Sequence, residues 1–202
     1  MPKQTFFNLT SEKQKQIIDV AINEFSQSTF NEVKISDIIS KAKIPRSSFY
    51  DYFEDKKDLY KYIILIIREE KMKYMEPALT EQQESFFERL RGLFKAGAEF
   101  AASKPEFEKL ANKMFENMEI IYEIFGTEEL DMSSAYESML MKGVEAGEIR
   151  SDIDIKFIAK SIHILTSNLM LESFEGSKET LSEAIQKTTK NIINFIKFGI
   201  AK

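Results

Sequence analysis

A proline between two short helical patterns limits the folds that the first third of this sequence can adopt. Before the interruption, an apolar stripe spans two helical turns at Ile35, Ile38, Ile39 and Ala42. The interruption is Lys43-Ile44-Pro45, where proline cannot continue the preceding helix but suits the first turn of the next one. We therefore predict a short second helix and a third helix over about 46–53. A longer helix, predicted over about 11–27, precedes both, and this arrangement is typical of a three-helix helix-turn-helix unit.

The remaining sequence predicts an all-α protein. The first helix begins with a capping-box pattern, in which Ser11 is followed three residues later by Gln14. Beyond the third helix, apolar stripes at helical spacing continue, and there are only 7 Gly and 4 Pro in 202 residues. The predicted helices cover about 55–75 with Pro77 at the end, 81–103, the segment from Pro105 to Gly126, 133–146, 154–174 and 178–200.

The composition excludes several kinds of site. Because the chain has no cysteine, it cannot contain a disulfide, a thiolate nucleophile or a Cys-ligated zinc ion, and the lone His163 cannot make a metal site by itself. Neither a glycine-rich phosphate loop nor a metal-ligand spacing occurs, so we expect no metal, no cofactor and no enzyme. The longest apolar run, 62–67, is far below the roughly 18 residues of a membrane span, and no signal-peptide pattern precedes it. We expect a soluble, cytoplasmic protein.

The net charge of −5 is unevenly distributed along the chain. Residues 1–61 carry ten Lys and Arg against nine Asp and Glu, whereas residues 62–202 carry eighteen against twenty-four. The N-terminal end is therefore slightly basic on an acidic chain. This asymmetry favours DNA as the partner of the N-terminal end.

The predicted third helix separates core residues from exposed ones. At 100° per residue Phe49 and Phe53 fall together, with Leu59 just beyond, and we expect all three to be buried. The residues away from this face are those of a recognition helix: Arg46, Ser47, Ser48, Tyr50 and Tyr52. Arginine pairs bidentately with guanine, hydroxyl groups bind phosphates or base edges, and Lys56 would add a charge for a phosphate. The alternative is that these side chains are only solvated or packed at the surface.

These residues resemble the tetracycline-repressor (TetR) family of bacterial transcriptional regulators. The pattern that carries the resemblance is Ile38-Ile39-x-x-Ala42-x-Ile44-Pro-Arg-Ser-Ser-Phe-Tyr-x-Tyr-Phe-x-x-Lys56-x-x-Leu59. It implies a homodimer of subunits with about nine helices, which binds an inverted-repeat operator in double-stranded DNA and releases it when a small molecule binds. By position, Lys34, Ser36, Tyr52 and Lys56 would contact phosphates, and Arg46, Ser47, Ser48 and Tyr50 would contact bases.

The sequence departs from the family pattern at three positions. Thr29 and Lys43 stand where glycine is usual, and Lys34 stands where a Ser or Thr caps the second helix. Since the Lys34 side chain cannot accept the capping hydrogen bond, we expect Ser36 or Asp37 to cap a shorter helix. Lys43 in the turn is expected to need a positive φ.

The resemblance also divides the chain into a DNA-binding domain, 1–55, and a ligand-binding and dimerisation domain, 56–202. Adaptable and aromatic side chains are the natural lining of an apolar ligand pocket, although core packing is the commoner role of each: Phe94, Met114, Phe115, Met118, Tyr122, Met139 and His163. The wide apolar stripes of 154–174 and 178–200 suit a dimer built as a four-helix bundle. Two other functions stay open at this point: a helical enzyme or small-molecule carrier, and a homotypic interaction module that does not bind DNA.

Overall fold

A computed structural model describes residues 1–80, 85–126, 131–174 and 180–200, with the backbone alone for 79, 80, 169–174, 181, 184 and 200. Eleven helices lie in these ranges: α1 (Gln4–Phe7), α2 (Ser11–Gln27), α3 (Ile35–Lys41), α4 (Arg46–Tyr52), α5 (Lys56–Thr80), α6 (Phe86–Ser103), α7 (Pro105–Phe115), α8 (Met118–Phe125), α9 (Ser133–Glu145), α10 (Ile155–Phe174) and α11 (Leu181–Ile200). The all-α prediction is confirmed. Residues 178 and 179 of the predicted last helix lie outside the described residues.

The helix count exceeds the nine implied by the resemblance for two reasons. The four-residue helix α1 precedes the predicted first helix. The predicted helix from Pro105 to Gly126 is two helices, because Asn117 leaves helical geometry at φ −144° and ψ 56°. The apolar pattern continues across this break, so periodicity alone could not locate it.

One predicted helix end and one predicted helix cap are wrong. Pro77 does not end α5, which continues through it to Thr80. The N-cap of α2 is Thr10 rather than Ser11: its hydroxyl accepts a 3.3 Å hydrogen bond from the Lys13 backbone N–H. Gln14 does not complete a capping box, since its amide donates to the Leu9 carbonyl at 2.9 Å.

The chain divides into two compact units. The first contains Met1–Glu70 and Lys104–Gly126, and the second contains Lys71–Ser103 and Thr127–Lys202. These units are defined by how compactly the chain packs. The boundary at 55/56 separates predicted functions instead, and it stays a prediction. No helix in the described ranges combines the length and apolar character needed to cross a bilayer, and these ranges hold no group of His, Asp and Glu arranged for a metal ion.

In the first unit, α2 packs against α3 and α7, while α1 and α3 pack against α4. Its fully buried side chains include Ile17, Phe25, Ile38, Phe49, Phe53, Leu59 and Tyr60. Rings make much of this core: the centroids of Phe25 and Tyr60 are 4.6 Å apart, and those of Phe49 and Phe53 are 5.5 Å apart. The short helices α3 and α4 are therefore held against a core built largely by their neighbours.

In the second unit, α6 packs against α11, and α10 packs against both α9 and α11. One apolar cluster joins the four helices, with members Phe86, Phe87, Leu90, Phe94, Met139, Leu140, Ile149, Ala159, Ile162, Ile192, Ile193 and Ile196. Each helix contributes a one-face stripe, as the 3.6-residue period of the sequence predicts.

Candidate nucleic-acid interface

The turn between α3 and α4 has the geometry that the sequence predicts. The Ile44 N–H donates to the Ile39 carbonyl at 3.1 Å, and Pro45 is the N-cap of α4 in extended conformation. Lys43 lies between them with φ +51°, so the expected positive φ is confirmed. A non-glycine residue in this conformation costs about 1 kcal/mol, which the buried neighbours Ala42 and Ile44 offset.

Helix α4 presents one face to the core and another to solvent. Phe49, Phe53 and Leu59 are completely buried, as predicted. Tyr50, one position after Phe49, is 40% exposed, and Arg46 is exposed one turn earlier. The aromatic pattern of the sequence thus separates into an anchored face and a solvent face on the same seven-residue helix.

Five of the predicted DNA-contact residues lie around one shallow depression between α3 and α4. The depression has a volume of about 350 Å³, and its lining includes Lys34, Ser36, Arg46, Tyr50 and Lys56. Within the described ranges neither Arg46 nor Lys34 has an ion-pair partner, so both cations are available to a polyanion. Ser47 is exposed on the first turn of α4 outside this depression, and Ser48 is half-buried. The contacts of these residues with DNA stay predictions.

Helix α3 begins at Ile35, with Lys34 as its N-cap and no side-chain cap hydrogen bond. The expectation that Ser36 or Asp37 caps a shorter helix is therefore wrong. Instead, the Ser36 hydroxyl donates a hydrogen bond to the Asp37 carboxylate at 3.2 Å. The backbone N–H groups of the first turn of α3 therefore have no side-chain acceptor. Water or an anion such as a phosphate can accept hydrogen bonds from them.

Lys56 has a second role that the sequence did not indicate. Its ammonium donates to the carbonyls of Phe30 at 2.6 Å, Val33 at 2.8 Å and Asn31 at 3.4 Å. It also lies 4.4 Å from the centroid of the Phe30 ring, and burial lowers its pKa. An ammonium has three protons, so a phosphate would have to displace one of these carbonyls. Lys56 therefore fixes the loop between α2 and α3, and its phosphate contact stays a prediction.

Two further lysines fix the arrangement of α2 and α3. The Lys13 ammonium donates to the Ala42 carbonyl at 3.0 Å, which satisfies the C-terminal end of α3. The Lys41 ammonium pairs with the Glu24 carboxylate of α2 at 2.5 Å. The positive charge of the N-terminal segment is thus partly internal, and Lys34, Lys43 and Arg46 are the outward part near the turn.

The N-terminal residues before α2 pack against the end of α4, which the sequence analysis did not predict. The ring centroids of Tyr52 and Phe6 are 6.2 Å apart, edge to face, so Tyr52 is half-buried rather than fully presented. Phe6 itself is completely buried. The adjacent pair Phe6-Phe7, just ahead of the first cap, was the available signal, because an apolar pair before a helix often packs back onto the fold.

The seven predicted ligand-pocket residues fall in both units. Phe94 and Met139 are buried in the apolar cluster of the second unit, and the His163 Nε2 lies 3.8 Å from Asp131 Oδ1 in the same unit. In the first unit, Tyr122 is 44% exposed, while three residues are half-buried: Met114, Phe115 and Met118. The pocket itself stays a prediction.

The last two helices expose large apolar side chains in the part of the chain that the structure describes. Phe157 and Ile164 of α10 are 65% and 46% exposed, and they lie two turns apart on one face. Phe195 and Phe198 of α11 are 69% and 90% exposed. The predicted stripe residues Leu169, Phe174 and Leu181 lie outside the described side chains.

Comparison with known proteins gives concordant results. The profile of the family described as bacterial regulatory proteins, tetR family, matches residues 17–63. Over 70 residues the chain is 34% identical to YdgC, an uncharacterized HTH-type transcriptional regulator of Bacillus subtilis; the match spans 35% of this chain and about a third, 36%, of the relative.

Solved structures extend the likeness over the whole chain. A TetR family transcriptional regulator from Chloroflexus aurantiacus is 25% identical, with 100% of this chain and 99% of that chain covered and a TM-score of 0.66. SmeT, the repressor of the Stenotrophomonas maltophilia multidrug efflux pump SmeDEF, is 16% identical, with 98% and 93% covered and a TM-score of 0.75. The fatty acid degradation regulator FadR from Bacillus halodurans is 18% identical, with 92% and 97% covered and a TM-score of 0.68.

The last two likenesses concern the fold alone, whereas the profile match covers the turn and both helices of the interface. The profile match and the buried and exposed faces of α4 together identify the N-terminal helices as a helix-turn-helix. Residues 17–63 therefore match the tetR family of bacterial regulatory proteins, whose members are transcriptional regulators.

Proposed function

We propose that the chain is a cytoplasmic transcriptional repressor that binds an inverted-repeat operator as a homodimer and is released by a small molecule. One observation carries the DNA-binding part of the proposal. Arg46, Tyr50 and Lys34 surround a single depression on the solvent side of α3 and α4, while Phe49 anchors α4 from the opposite side. A rigid helix with an unpaired arginine in its first turn can enter the major groove and bind a base edge.

The contacts divide by chemistry. Arg46 donates two parallel hydrogen bonds to the O6 and N7 atoms of a guanine, and Ser47, Ser48 and Tyr50 add hydroxyl groups beside it. Lys34 and Ser36 at the start of α3 bind phosphates, which sets the register of α4 on the duplex. Tyr52 and Lys56 are the weaker candidates, because each already has a partner in the protein.

The exposed rings of α10 and α11 support the dimer. Phe195 and Phe198 are both largely exposed on α11. Exposed apolar patches of this kind are typical of surfaces that a partner covers. A second copy buries the same faces of 154–174 and 178–200 across a twofold axis, because a symmetric interface uses one patch twice. Such a dimer presents two α4 helices to half-sites about 34–36 Å apart.

Light scattering tests the dimer. A Phe195→Glu, Phe198→Glu double variant should be monomeric at concentrations where the parent chain is a dimer. Lys190→Glu adds negative charge to the exposed surface of the same helix away from these rings, and it should stay dimeric. Dimerisation of the double variant at the parent's concentration would refute this interface.

The ligand-release part rests on the family. SmeT represses a multidrug efflux pump and FadR regulates fatty acid degradation, both on the same fold. We propose that an apolar or amphipathic small molecule binds in the second unit, beside Phe94, Met139 and His163. In a thermal-shift screen of such molecules, a ligand at a hundred times its dissociation constant should stabilise the chain by about 2.7 kcal/mol. The same ligand should weaken DNA binding.

DNA binding is tested by selecting duplexes from a random-sequence library with the purified full-length chain. On the recovered duplex, Arg46→Ala should lose about 1–3 kcal/mol of affinity and the preference for one base position. Lys34→Ala should weaken all sequences similarly and reduce the salt slope by about 0.9. Arg91→Ala in the second unit, where Arg91 pairs with Glu88, is the matched control and should bind normally.

Failure to recover any preferred duplex, or affinity without salt dependence, would refute the proposal. A preferred duplex bound equally well by Arg46→Ala would refute the role of α4.

A further inference from the structure

The C-terminal end of α4 is closed by residues that precede α2. In a helix the last carbonyls have no partner within the helix, and α4 satisfies only that of Phe49, which accepts from the Phe53 N–H at 2.8 Å. The next three carbonyls each accept one hydrogen bond from residues 3–5. The Lys3 ammonium donates to Tyr50 at 2.7 Å, the Thr5 hydroxyl to Asp51, and the Lys3 backbone N–H to Tyr52 at 2.8 Å.

Phe6 holds these donors in place. Its ring is completely buried, and its centroid lies 5.0 Å from that of Phe53 and 5.7 Å from that of Tyr62. Residues 3–6, here called the N-terminal arm, therefore join α4 to the start of α5 through an aromatic cluster and three hydrogen bonds. Because a seven-residue helix is too short to be stable alone, its two ends must be fixed by other parts of the chain.

We propose that the N-terminal arm positions the recognition helix. The turn at Lys43–Pro45 fixes where α4 begins, and the arm fixes where it ends, so together they set the direction of the Arg46 and Tyr50 side chains. The Lys3 ammonium adds a favourable charge at the negative end of the helix dipole. As far as DNA affinity is concerned, the inference rests on the proposed function.

The competing explanation is that the arm affects DNA affinity through a direct contact between Lys3 and DNA. Variants of Thr5 distinguish this explanation from positioning of α4. Thr5→Val removes the hydroxyl donor with little change of shape and no change of charge, and Thr5→Ser keeps the donor. If the arm positions α4, Thr5→Val should weaken binding to the selected duplex about threefold to tenfold, the usual worth of one hydrogen bond. The salt slope should stay that of the parent chain, because no phosphate contact is lost.

Two variants of Lys3 remove its hydrogen-bond donors one after the other. Lys3→Met removes the ammonium and keeps the backbone donor. Lys3→Pro also removes the N–H, and the observed φ of −75° lies within the range of proline, so the backbone is not strained. The loss of affinity should therefore grow from Lys3→Met to Lys3→Pro.

Hydrogen exchange without DNA decides the structural part independently. In Thr5→Val the amides of Tyr50–Phe53 should exchange about threefold to tenfold faster, while those of α9 and α10 stay unchanged and Thr5→Ser matches the parent. Unchanged exchange in α4 would overturn the arm's role, whatever happens to DNA binding. Faster exchange in α4, in a chain that selects no duplex, would leave the arm in place and refute the proposed function. Weaker DNA binding only in the Lys3 variants, with a smaller salt slope, would assign Lys3 to DNA instead.

Discussion

The helix-turn-helix segment and the four-helix cluster of the second unit are stabilised in different ways. Helices α3 and α4 have seven residues each, whereas α10 and α11 have twenty. Around the short helices, lysine ammonium groups donate to backbone carbonyls at the helix ends and in the loop. The long helices are held by one aliphatic and aromatic cluster instead.

Helix length accounts for the difference. In a short helix most backbone carbonyls lie in the terminal turns, where the helix itself supplies no donor, so flexible cationic side chains satisfy them. A long helix satisfies its own backbone and can devote a whole face to packing. The positive charge of the N-terminal segment is therefore not all available to DNA, because several of its lysines donate to backbone carbonyls of the protein.

The largest expected effect comes from removing the ring that anchors α4. Phe49→Ala should destabilise the first unit by about 3–5 kcal/mol, because it removes a completely buried phenylalanine. Tyr50→Ala, one residue later on the exposed face, should cost less than about 1 kcal/mol. Urea unfolding followed by circular dichroism measures both. Equal losses would mean that α4 does not have the two faces described.

The lysine contacts of the short helices can be tested with adjacent residues. Lys56→Met keeps the aliphatic stem but leaves the Phe30 and Val33 carbonyls without their donor, and it should cost about 1–3 kcal/mol. Lys57→Met breaks an exposed ion pair with Glu123 and should cost less than about 1 kcal/mol. If the two variants unfold at the same urea concentration, Lys56 is not a structural lysine.

Packing in the second unit can be tested with a pair of glycines. A Cβ at Gly143 would lie 2.6 Å from Ile149 Cδ1 and 3.1 Å from Phe86 Cβ, so Gly143→Ala should destabilise by about 1–3 kcal/mol. A Cβ at Gly97 in α6 meets no described atom within 4 Å, and Gly97→Ala should stabilise the helix by about 0.5–1 kcal/mol. Thermal unfolding should therefore shift in opposite directions, and a shared sign would contradict the packing.

The smallest effect concerns pH. The Asp131 carboxylate accepts from the Lys160 ammonium at 2.7 Å and from the Ser133 backbone N–H at 2.8 Å, and these bonds hold its pKa well below the ordinary value. A carboxyl group with a lowered folded-state pKa stabilises the fold above its unfolded pKa of about 3.9, and this contribution is lost as pH falls further.

Asp131→Asn should therefore lower the unfolding temperature at pH 7 by less than Gly143→Ala does, and the difference from the parent chain should shrink below about pH 4. Asp152→Asn, which changes an exposed carboxylate 3.4 Å from Arg150, is the control and should show little change. A difference that stays constant down to pH 2 would contradict the assigned cause.

The sequence was sufficient wherever a local pattern specifies local geometry. The interruption at Pro45 predicted the helix-turn-helix, 100° spacing predicted which rings of α4 are buried, and the departure from glycine at Lys43 predicted a positive φ. It failed at the break before Met118, where a backbone change leaves the apolar pattern intact, and at Pro77, which the helix tolerates in its last turn.

The sequence by itself therefore determined the all-α class, the likeness of the N-terminal segment to the tetR family and the two faces of α4, because these follow from residue type and spacing along one segment. Only the tertiary structure decided which cations lie outside and which donate to carbonyls, and that residues 3–6 close the end of α4. A lysine looks the same in the sequence whether its partner is a phosphate or a carbonyl 23 residues away, since that partner is set by chain folding. The same reason separates Tyr50, which stays exposed, from Tyr52, which meets Phe6.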